Sequence, residues 1–307
     1  MIRVRSYDSE NDFLLMQNLI RENYLNSGSK LYPSPADLDY WRYIYDESPD
    51  GVRGAKLWYD DNDESRILAF AWMNDEAVDF VCHYQHKELL NEIIEWSEEE
   101  RLNNTSDDIV NRLYIFDCDI DGELTATQKG YQKSVIFNYY GMRNLKEPVP
   151  KAMLPYGYII RSLETDKDIQ GRAELNGLAG NEITSDKYKY FMKHALNYSK
   201  DLDLIAVSQS GDIAGFCTVW YDSICKVGMF EPYAVHSGHL RKGIGRSLLL
   251  EGMSRLLTLG CSAVYVTHAG LDSDEIDPAL ALNKSVGFKK VANNYLWVKQ
   301  LRQLKTE

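Results

Sequence analysis

The stretch HSGHLRKGIGRSLLLEG, residues 236–252, combines a tight glycine turn with the start of an amphipathic helix. Gly243 and Gly245 allow the backbone to bend sharply and to approach a ligand without an intervening Cβ. The apolar residues that follow recur at helical spacing and predict a helix over about 244–258. The N–H groups at its start favour an anion, and basic residues border the turn: Arg241, Lys242 and Arg246. The stretch predicts a pyrophosphate cradle, with a plain strand–turn–helix connection as the alternative.

Known phosphate-binding motifs fit this turn poorly. A P-loop needs GxxxxGK[ST], which is absent here, and a dinucleotide fingerprint needs GxGxxG directly after the first strand of its unit. Leu248 occupies the third glycine position, and the turn comes late in its half of the chain. The motif therefore has to be identified from its companions in the sequence.

Composition limits the classes of function. The chain has 307 residues, 44% of them apolar, which predicts about two domains with ordinary cores. Apolar runs of about 18 residues and an apolar leader are absent, so we expect no membrane span and no secretory signal. Five scattered cysteines without a CxxC pair indicate a reducing, cytoplasmic setting. The net charge of −12 argues against nucleic-acid binding and favours cationic or neutral substrates.

The two halves of the chain resemble each other. Three pairs of stretches match in the same order: Val4–Ser6 with Asp12 against Ile160–Ser162 with Asp168, Ile67–Phe70 against Ile213–Phe216, and Lys133–Phe137 against Lys284–Phe288. Their offsets of 156, 146 and 151 residues agree within ten. Such repetition predicts two tandem domains over 1–146 and 157–307, joined by a linker over 147–156.

Each half alternates strands with helices, which predicts an α/β architecture with a mixed sheet. A strand at 2–7 and a helix at 11–25 open the first half, with Asp8 or Ser9 as the N-cap, and Thr165 caps the corresponding helix of the second half. The strands predicted for the second half are 157–163, 204–208, 213–221, 227–236, 263–267 and 294–300. Its predicted helices are 166–180, 244–258, ending at Gly260, and 278–286.

A second signature follows the glycine turn at the right distance. ALALNKSVGF, Ala279–Phe288, resembles A-x-x-L-Y-x-x-x-G-F of the GCN5-related N-acetyltransferase (GNAT) superfamily, and the turn resembles its acyl-CoA motif [QR]-x-x-G-x-[GA]. The whole chain is similar to tandem members of that family such as mycothiol synthase. The resemblance implies an α/β (α+β) fold of two tandem GNAT-like domains, each a mixed, mostly antiparallel sheet flanked by helices. It departs from the family pattern at Leu240 and at Asn283, where a glutamine or arginine and a tyrosine are usual.

The resemblance implies which groups hold acetyl-CoA, the co-substrate. Backbone groups of Ala234, Val235 and His236 would pair with the pantetheine arm as an added strand. The amides of the turn would hold the diphosphate: Arg241, Lys242, Gly243, Ile244, Gly245, Arg246 and Ser247. His268 and Asn283 would lie near the same arm. The acidic segment 270–278 is either an attraction for a cationic acceptor or a solvated loop.

Direct transfer to an amine needs a general base, because an alkyl ammonium with a pKa near ~10.4 is almost fully protonated at pH 7. Glu231 is the acid on the strand before the turn, where burial would raise its pKa; the alternative is a solvent-facing glutamate beside Pro232. An amide cannot protonate the leaving thiolate, although Asn283 can donate a hydrogen bond to the thioester sulfur. Candidate donors are Tyr233, Tyr265 and Tyr295, and Tyr233 would share the face of Glu231 in an unbroken strand.

The first half lacks the glycine turn. His83-x-x-His86 aligns with His236-x-x-His239 at an offset of 153, which sets Leu90 against Gly243 and Glu92 against Gly245. A carboxylate there would repel a diphosphate, so we expect a degenerate first domain that has lost acyl-CoA binding and supports the acceptor pocket. The histidine pairs lack a completing ligand at a recognisable spacing, so we expect no metal.

The sequence therefore predicts an N-acetyltransferase that moves an acetyl group from acetyl-CoA to the amine of a small molecule in a ternary complex. The alternatives are a non-catalytic acyl-CoA sensor and an interaction protein with a vestigial fold. The expected partner is the small-molecule amine, with no nucleic acid or membrane. Oligomeric state and the identity of the acceptor are not encoded in any motif.

Overall fold

The computed structural model describes residues 1–27, 33–45, 54–73, 77–104, 109–180, 182–269 and 278–301. Its strands are β1 (Ile2–Ser6), β2 (Ala55–Asp60), β3 (Asp63–Met73), β4 (Val78–Cys82), β5 (Ile109–Phe116), β6 (Gln132–Asn144), β7 (Tyr158–Ser162), β8 (Asp203–Ser208), β9 (Ile213–Asp222), β10 (Val227–Val235), β11 (Ala263–Ala269) and β12 (Lys289–Leu301). Its α-helices are α1 (Glu10–Ser27), α2 (Pro35–Tyr40), α3 (Leu90–Asn104), α4 (Ile120–Gln128), α5 (Asp166–Asn176), α6 (Ser185–His194), α7 (Ile244–Thr258) and α8 (Pro278–Ser285).

The same order of elements occurs twice, once up to β6 and once from β7 onward. The repeated Arg–Asp pair predicted from the sequence forms the same bidentate ion pair in both halves. Arg5 donates to Asp12 at 2.6 Å, and Arg161 donates to Asp168 at 2.8 Å. In each half this pair ties the first strand to the first turn of the helix that follows it.

The two halves share one sheet of twelve strands, in the order β1-β2-β3-β4-β5-β12-β6-β11-β10-β9-β8-β7. Neighbouring strands are antiparallel except β4–β5 and β10–β11. This confirms the predicted mixed, mostly antiparallel sheet flanked by helices. The last strands are exchanged: β6 of the first half pairs with β11, and β12 of the second half pairs with β5. The exchange joins the two repeats through main-chain hydrogen bonds.

Helices cover both faces of the sheet. The apolar side of α7 packs with Val264 and Val266 on one face. On the other face α1 and α2 pack against strands of both halves, so that Tyr40 of α2 lies in one cluster with Phe191 of α6. Within the described residues, none of the helices is long and apolar enough to cross a membrane.

The strongest patterns in the sequence predicted their elements well. Helix α7 has the predicted limits, Gly260 ends it with φ of 81°, and Thr165 caps α5 by accepting from Asp168 N–H. The predicted helix over 166–180 was too long, because α5 ends at Asn176 and a 3₁₀ turn follows. The short helices α2 and α6 were missed.

One of the three repeat alignments was wrong. Lys133–Phe137 lies inside β6, whereas Lys284–Phe288 covers the end of α8 and the turn after it. The structurally equivalent residues are 157 positions apart. Tyr131 N–H donates to the Ala126 carbonyl in the first half, and Phe288 N–H donates to the Asn283 carbonyl in the second. The lysine–serine pair that suggested the shorter offset is therefore coincidental.

Candidate active site

A wedge opens between β10 and β11. The two strands pair in parallel only from Val227 to Phe230, and the register of β10 against β9 then shifts between Phe230 and Tyr233. This bulge contains the cis Glu231–Pro232 bond and turns the strand away from β11. Within the described residues, Ala234 and Val235 pair with β9 alone, so their opposite backbone edge faces the wedge.

The glycine turn borders this wedge at the start of α7. Arg241 and Gly243 both have left-handed backbone, with φ of 60° and 78°, which favours glycine at the second position. Ser247 is the first residue of the helix whose N–H bonds backward, to Gly243 C=O at 3.0 Å. In the described part of the chain, the N–H groups from Arg241 to Arg246 have no backbone acceptor, as expected for a helix start. These six amides can meet an anion.

Two residues of the turn have structural partners of their own. The hydroxyl of Ser247 donates to the carbonyl of Met153 at 2.7 Å, so both its N–H and its side chain are engaged within the protein. Among the residues predicted to hold the diphosphate, Ser247 thus has neither its N–H nor its hydroxyl proton available for the ligand. The Nζ of Lys242 donates to the Tyr158 hydroxyl and to the Gly238 carbonyl, each at 3.2 Å, and is held beside the turn.

Gly245 is required by close packing. A Cβ at this position would lie 3.0 Å from a Leu282 methyl group and 3.3 Å from a Val235 methyl group. The first turn of α7 therefore lies against both α8 and the exposed end of β10. The glycine brings the amides of the turn to the mouth of the wedge.

Tyr233 and Asn283 form the polar contact on the α7 side of the wedge. The Tyr233 hydroxyl donates to Asn283 Oδ1 at 2.9 Å. Burial raises the pKa of Tyr233 well above its usual value, so the phenol stays protonated at neutral pH. The Nδ2 of Asn283 is buried and has no hydrogen-bond partner in the described structure. An orphaned buried donor next to a phenol is an arrangement suited to a sulfur or oxygen atom of a bound ligand.

Glu231 lies on the opposite side of the wedge. Its carboxylate accepts a hydrogen bond from Thr267 Oγ1 at 2.9 Å. Val266 packs with α7, so the neighbouring Thr267 points to the other face of the sheet. Tyr233 also packs with the α7 cluster. Glu231 and Tyr233 therefore lie on opposite faces, because β10 is not the unbroken strand that a shared face requires: the bulge at Pro232 resets its alternation.

The environment of Glu231 tunes it for proton transfer. Burial raises the pKa of its carboxyl to about 7, the Thr267 hydrogen bond acts in the opposite direction, and the negative charge of Asp37 adds to the rise. The residue keeps some exposed surface, in agreement with its position at the wall of an open wedge. A carboxyl that titrates near neutral pH matches the requirement for a general base.

The other predicted groups have contacts of their own. Tyr265 is buried on the α1 side of the sheet, where its hydroxyl lies 3.3 Å from that of Tyr24. The Lys133 ammonium lies over the ring of Tyr295, 3.9 Å from its centroid. His268 is buried near the end of β11 and stacks on Tyr139. The acidic segment 270–277 lies outside the described residues.

The first half contains a second wedge between β4 and β5, which pair at Val78 and Leu113 alone within the residues that the structure describes. His83 and His236 form the same turn: each accepts from the residue two positions later, at 3.2 and 3.3 Å. After it, however, the chain enters a 3₁₀ turn at Lys87–Leu89 that runs straight into α3, so the loop of amides is absent. Groups of three metal-binding side chains are not found in the described residues.

Comparisons with known proteins bear on the fold. Residues 174–288 match the model of the acetyltransferase (GNAT) family. A GCN5-related N-acetyltransferase from Sphaerobacter thermophilus superposes with a TM-score of 0.66 at 19% identity, over 98% of this chain and 96% of that one. The chain has a GNAT fold.

A second structure extends the GNAT likeness to the two-domain arrangement. The tandem GNAT protein from the clavulanic acid biosynthesis pathway superposes with a TM-score of 0.66 at 15% identity, over 98% of both chains. A GNAT-family acetyltransferase from Colwellia psychrerythraea covers 98% of this chain and 100% of its own, at 11% identity and a TM-score of 0.63. No curated protein sequence matches. The family match supports acyl transfer as the general chemistry of the second half.

Two residues that act on Glu231 were not recognised from the sequence. Thr267 was placed at the end of a predicted strand with no role, and Asp37 was not considered. The signal at Thr267 is a polar residue within an apolar strand. That signal was followed at Glu231 alone.

Proposed function

We propose that this protein is an acetyl-CoA-dependent N-acetyltransferase that acts on a small amine by direct transfer in a ternary complex. The observation that carries the proposal is that two different polar groups face each other across the β10/β11 wedge. A carboxyl with a pKa of about 7 lies on one side, and the Tyr233–Asn283 contact lies on the other. A base and an acid on opposite sides of one opening suit an amine and a thioester that meet between them.

The second half provides the binding site for the co-substrate in this proposal. The backbone edge of Ala234 and Val235 would pair with the amides of the pantetheine arm. The six amides of the glycine turn, with Arg241 and Lys242, would hold the diphosphate. The first half would serve as the wall of the acceptor pocket, with its own acyl-CoA site lost.

The reaction proceeds in three steps. Glu231 takes a proton from the bound ammonium, and the neutral amine attacks the thioester carbonyl to form a tetrahedral intermediate. The C–S bond breaks, and the CoA thiolate receives a proton from the Tyr233 hydroxyl, while Asn283 Nδ2 donates a hydrogen bond to the sulfur. The nitrogen of the N-protonated amide product loses its second proton to solvent, solvent reprotonates Tyr233, and Glu231 releases the first proton, so that each turnover releases one proton overall.

A thiol-release assay with acetyl-CoA and a panel of small amines tests the proposal. We expect CoA release that depends on both substrates and an acetylated amine as the product. Tight acetyl-CoA binding with no turnover on any amine would favour a sensor instead. Absence of acetyl-CoA binding would favour an interaction protein and would overturn the proposal.

A further inference from the structure

A side chain of α1 bridges two backbone groups of the first wedge. The Nδ2 of Asn23 donates to the Cys82 carbonyl at 2.7 Å, and its Oδ1 accepts from Tyr84 N–H at 3.0 Å. Both partners lie at the end of β4 and in the turn after it, beyond the residue that pairs with β5. In the described structure, a side chain thus bonds these backbone groups in place of a neighbouring strand.

The two bridged groups point into the wedge. His83 N–H bonds the Leu68 carbonyl at 2.7 Å and therefore faces β3. Because successive residues of a strand direct their backbone groups to opposite edges, those of Cys82 and Tyr84 face the wedge. One residue of a parallel neighbouring strand would bond to this same carbonyl and this same N–H. The Asn23 carboxamide, which has both an acceptor and donors, takes the place of that residue.

The second half leaves the equivalent edge open. At the offset of 153 residues that relates the two histidine turns, the counterparts of Cys82 and Tyr84 are Val235 and Ser237. His236 N–H bonds to a carbonyl of β9 at 2.9 Å, so the same alternation directs the Val235 carbonyl and Ser237 N–H into the β10/β11 wedge. Within the described residues, neither of these two groups has a backbone hydrogen bond.

The counterpart of Asn23 has no amide. The Arg–Asp pairs relate α1 to α5 at an offset of 156 residues, which places Ala179 at this position. Ala179 and Ala234 of β10 pack against the same apolar cluster, so this position also lies near the strand in the second half. The difference between Asn23 and Ala179 therefore separates a bonded strand edge from an open one.

The first wedge remains hollow beside the bridge. A cavity of about 470 Å³ is lined by Asn23, by Phe80 and Cys82 of β4, and by Ile20 and Ala292. The apolar core therefore does not fill the space along the end of β4. The bonds of Asn23, and not a lack of room, occupy this strand edge.

We propose that the first wedge keeps a strand edge suited to amide ligands and that the chain occupies it with the Asn23 carboxamide as an internal ligand. The inference rests on the proposed function, in which the pantetheine amides pair with the open edge of β10. It adds that Asn23 restricts this pairing to the second half. A ligand amide in the first wedge would have to break both Asn23 bonds and leave that carboxamide without partners.

Residue-specific amide hydrogen exchange, followed by NMR, tests the inference with pantetheine as the ligand. Pantetheine has the amides of the co-substrate but no diphosphate, so the charges at the two entrances do not decide its binding. In the wild type, Tyr84 N–H should exchange slowly without ligand, and pantetheine should slow Ser237 N–H but not Tyr84 N–H. In Asn23→Ala, Tyr84 N–H should exchange at least about 10-fold faster, and pantetheine should restore its protection.

Asn26→Ala is the matched control, because the Asn26 carboxamide lies in the same helix and donates to the Glu22 carbonyl. It should leave the exchange of Tyr84 N–H unchanged. The wild-type measurements need no variant: fast exchange of Tyr84 N–H without ligand, or its slowing by pantetheine, would overturn the inference.

The Ser237 amide tests the proposed function separately. Pantetheine that slows Ser237 N–H in both proteins and leaves Tyr84 N–H fast in Asn23→Ala would overturn the inference and leave the proposed function intact. Pantetheine that slows Tyr84 N–H in that variant, and Ser237 N–H in neither protein, would support the inference and contradict the proposed co-substrate site. Slowing of neither amide would overturn both.

Discussion

The wedges of the two halves occupy equivalent places in the repeat and differ in their side chains and in part of their backbone. Phe80 pairs with Ala71 as Tyr233 pairs with Cys217, so the two residues occupy equivalent positions beside their wedges. The Ala126 carbonyl accepts a hydrogen bond from Tyr131 N–H, as the Asn283 carbonyl accepts one from Phe288 N–H, so Ala126 occupies the position of Asn283. The first half thus lacks the phenol and the amide of the second. The repeated fold keeps its backbone bonds and Arg–Asp pairs, whereas the Tyr233–Asn283 contact, to which we assign proton donation, has no counterpart at Phe80 and Ala126.

The entrance of each wedge differs as strongly as its interior. In the second half a loop with two left-handed residues presents free amides before α7. In the first half the amides of Leu89 and Leu90 are used in a 3₁₀ turn, and Glu92 follows on the surface of α3. In the proposed function a diphosphate would meet amides at one entrance and a carboxylate at the other.

The largest effect is expected when the entrance of the second wedge is given the glutamate of the first. Gly245→Glu should abolish acetyl-CoA binding, a loss of more than about 100-fold, because it adds a negative charge beside the amides and a Cβ only 3.0 Å from a Leu282 methyl group, which would have to move. Calorimetry with CoA measures it. Gly245→Ala separates the steric part from the charge, and Glu92→Gly in the first half should leave CoA affinity unchanged. Normal affinity in Gly245→Glu would contradict the assignment.

The next largest effect concerns the base. Glu231→Gln should lower kcat by about 10²–10⁴-fold with little change in acetyl-CoA affinity. Because the pKa of Glu231 is raised to about 7 and the base acts deprotonated, wild-type kcat should rise as pH increases through 7. The variant should lose that rise. A pH profile identical in both proteins would show that another group accepts the proton.

A smaller loss of kcat is expected when the proposed proton donor, Tyr233, is replaced by the residue at the equivalent position of the first half. Tyr233→Phe copies Phe80 and should lower kcat roughly 10- to 100-fold, since proton donation to the thiolate is lost while the ring is kept. A thiol-release assay measures it. Tyr221→Phe, which removes a hydroxyl bound to the Leu259 carbonyl, is the control and should keep full activity. Unchanged kcat in Tyr233→Phe would move the donor role to solvent.

The smallest effect should be nearly equal in the two halves. Asp12→Asn and Asp168→Asn should each lower the free energy of unfolding by roughly 1–2 kcal/mol at pH 7, since the paired arginines are partly exposed. The arginines hold the pKa of both carboxyls below the usual value. Their stabilisation is therefore present above pH 4 and lost as pH falls through the folded pKa. Denaturant titrations at pH 7 and pH 3 should show the difference from wild type shrinking.

The sequence predicted the elements whose patterns are local. The periodicity of α7, the cap at Thr165 and the glycine turn each depend on neighbouring residues, and each was confirmed. The exchange of β6 and β12 was not predictable, because strand partners are chosen across more than 100 residues. The position of α2 over β10 was missed for the same reason. A shared face for Glu231 and Tyr233 was expected only of an unbroken strand, and the local pattern does not show where the register shifts. A bulge changes the alternation without a mark in the local pattern.

The most direct test of the difference between the wedges is the stoichiometry of acetyl-CoA binding to the intact chain. Calorimetric titration should give one equivalent per chain, and Gly245→Glu should remove it entirely. Two equivalents, or one that survives in Gly245→Glu, would show that the first wedge binds the co-substrate and would contradict the account.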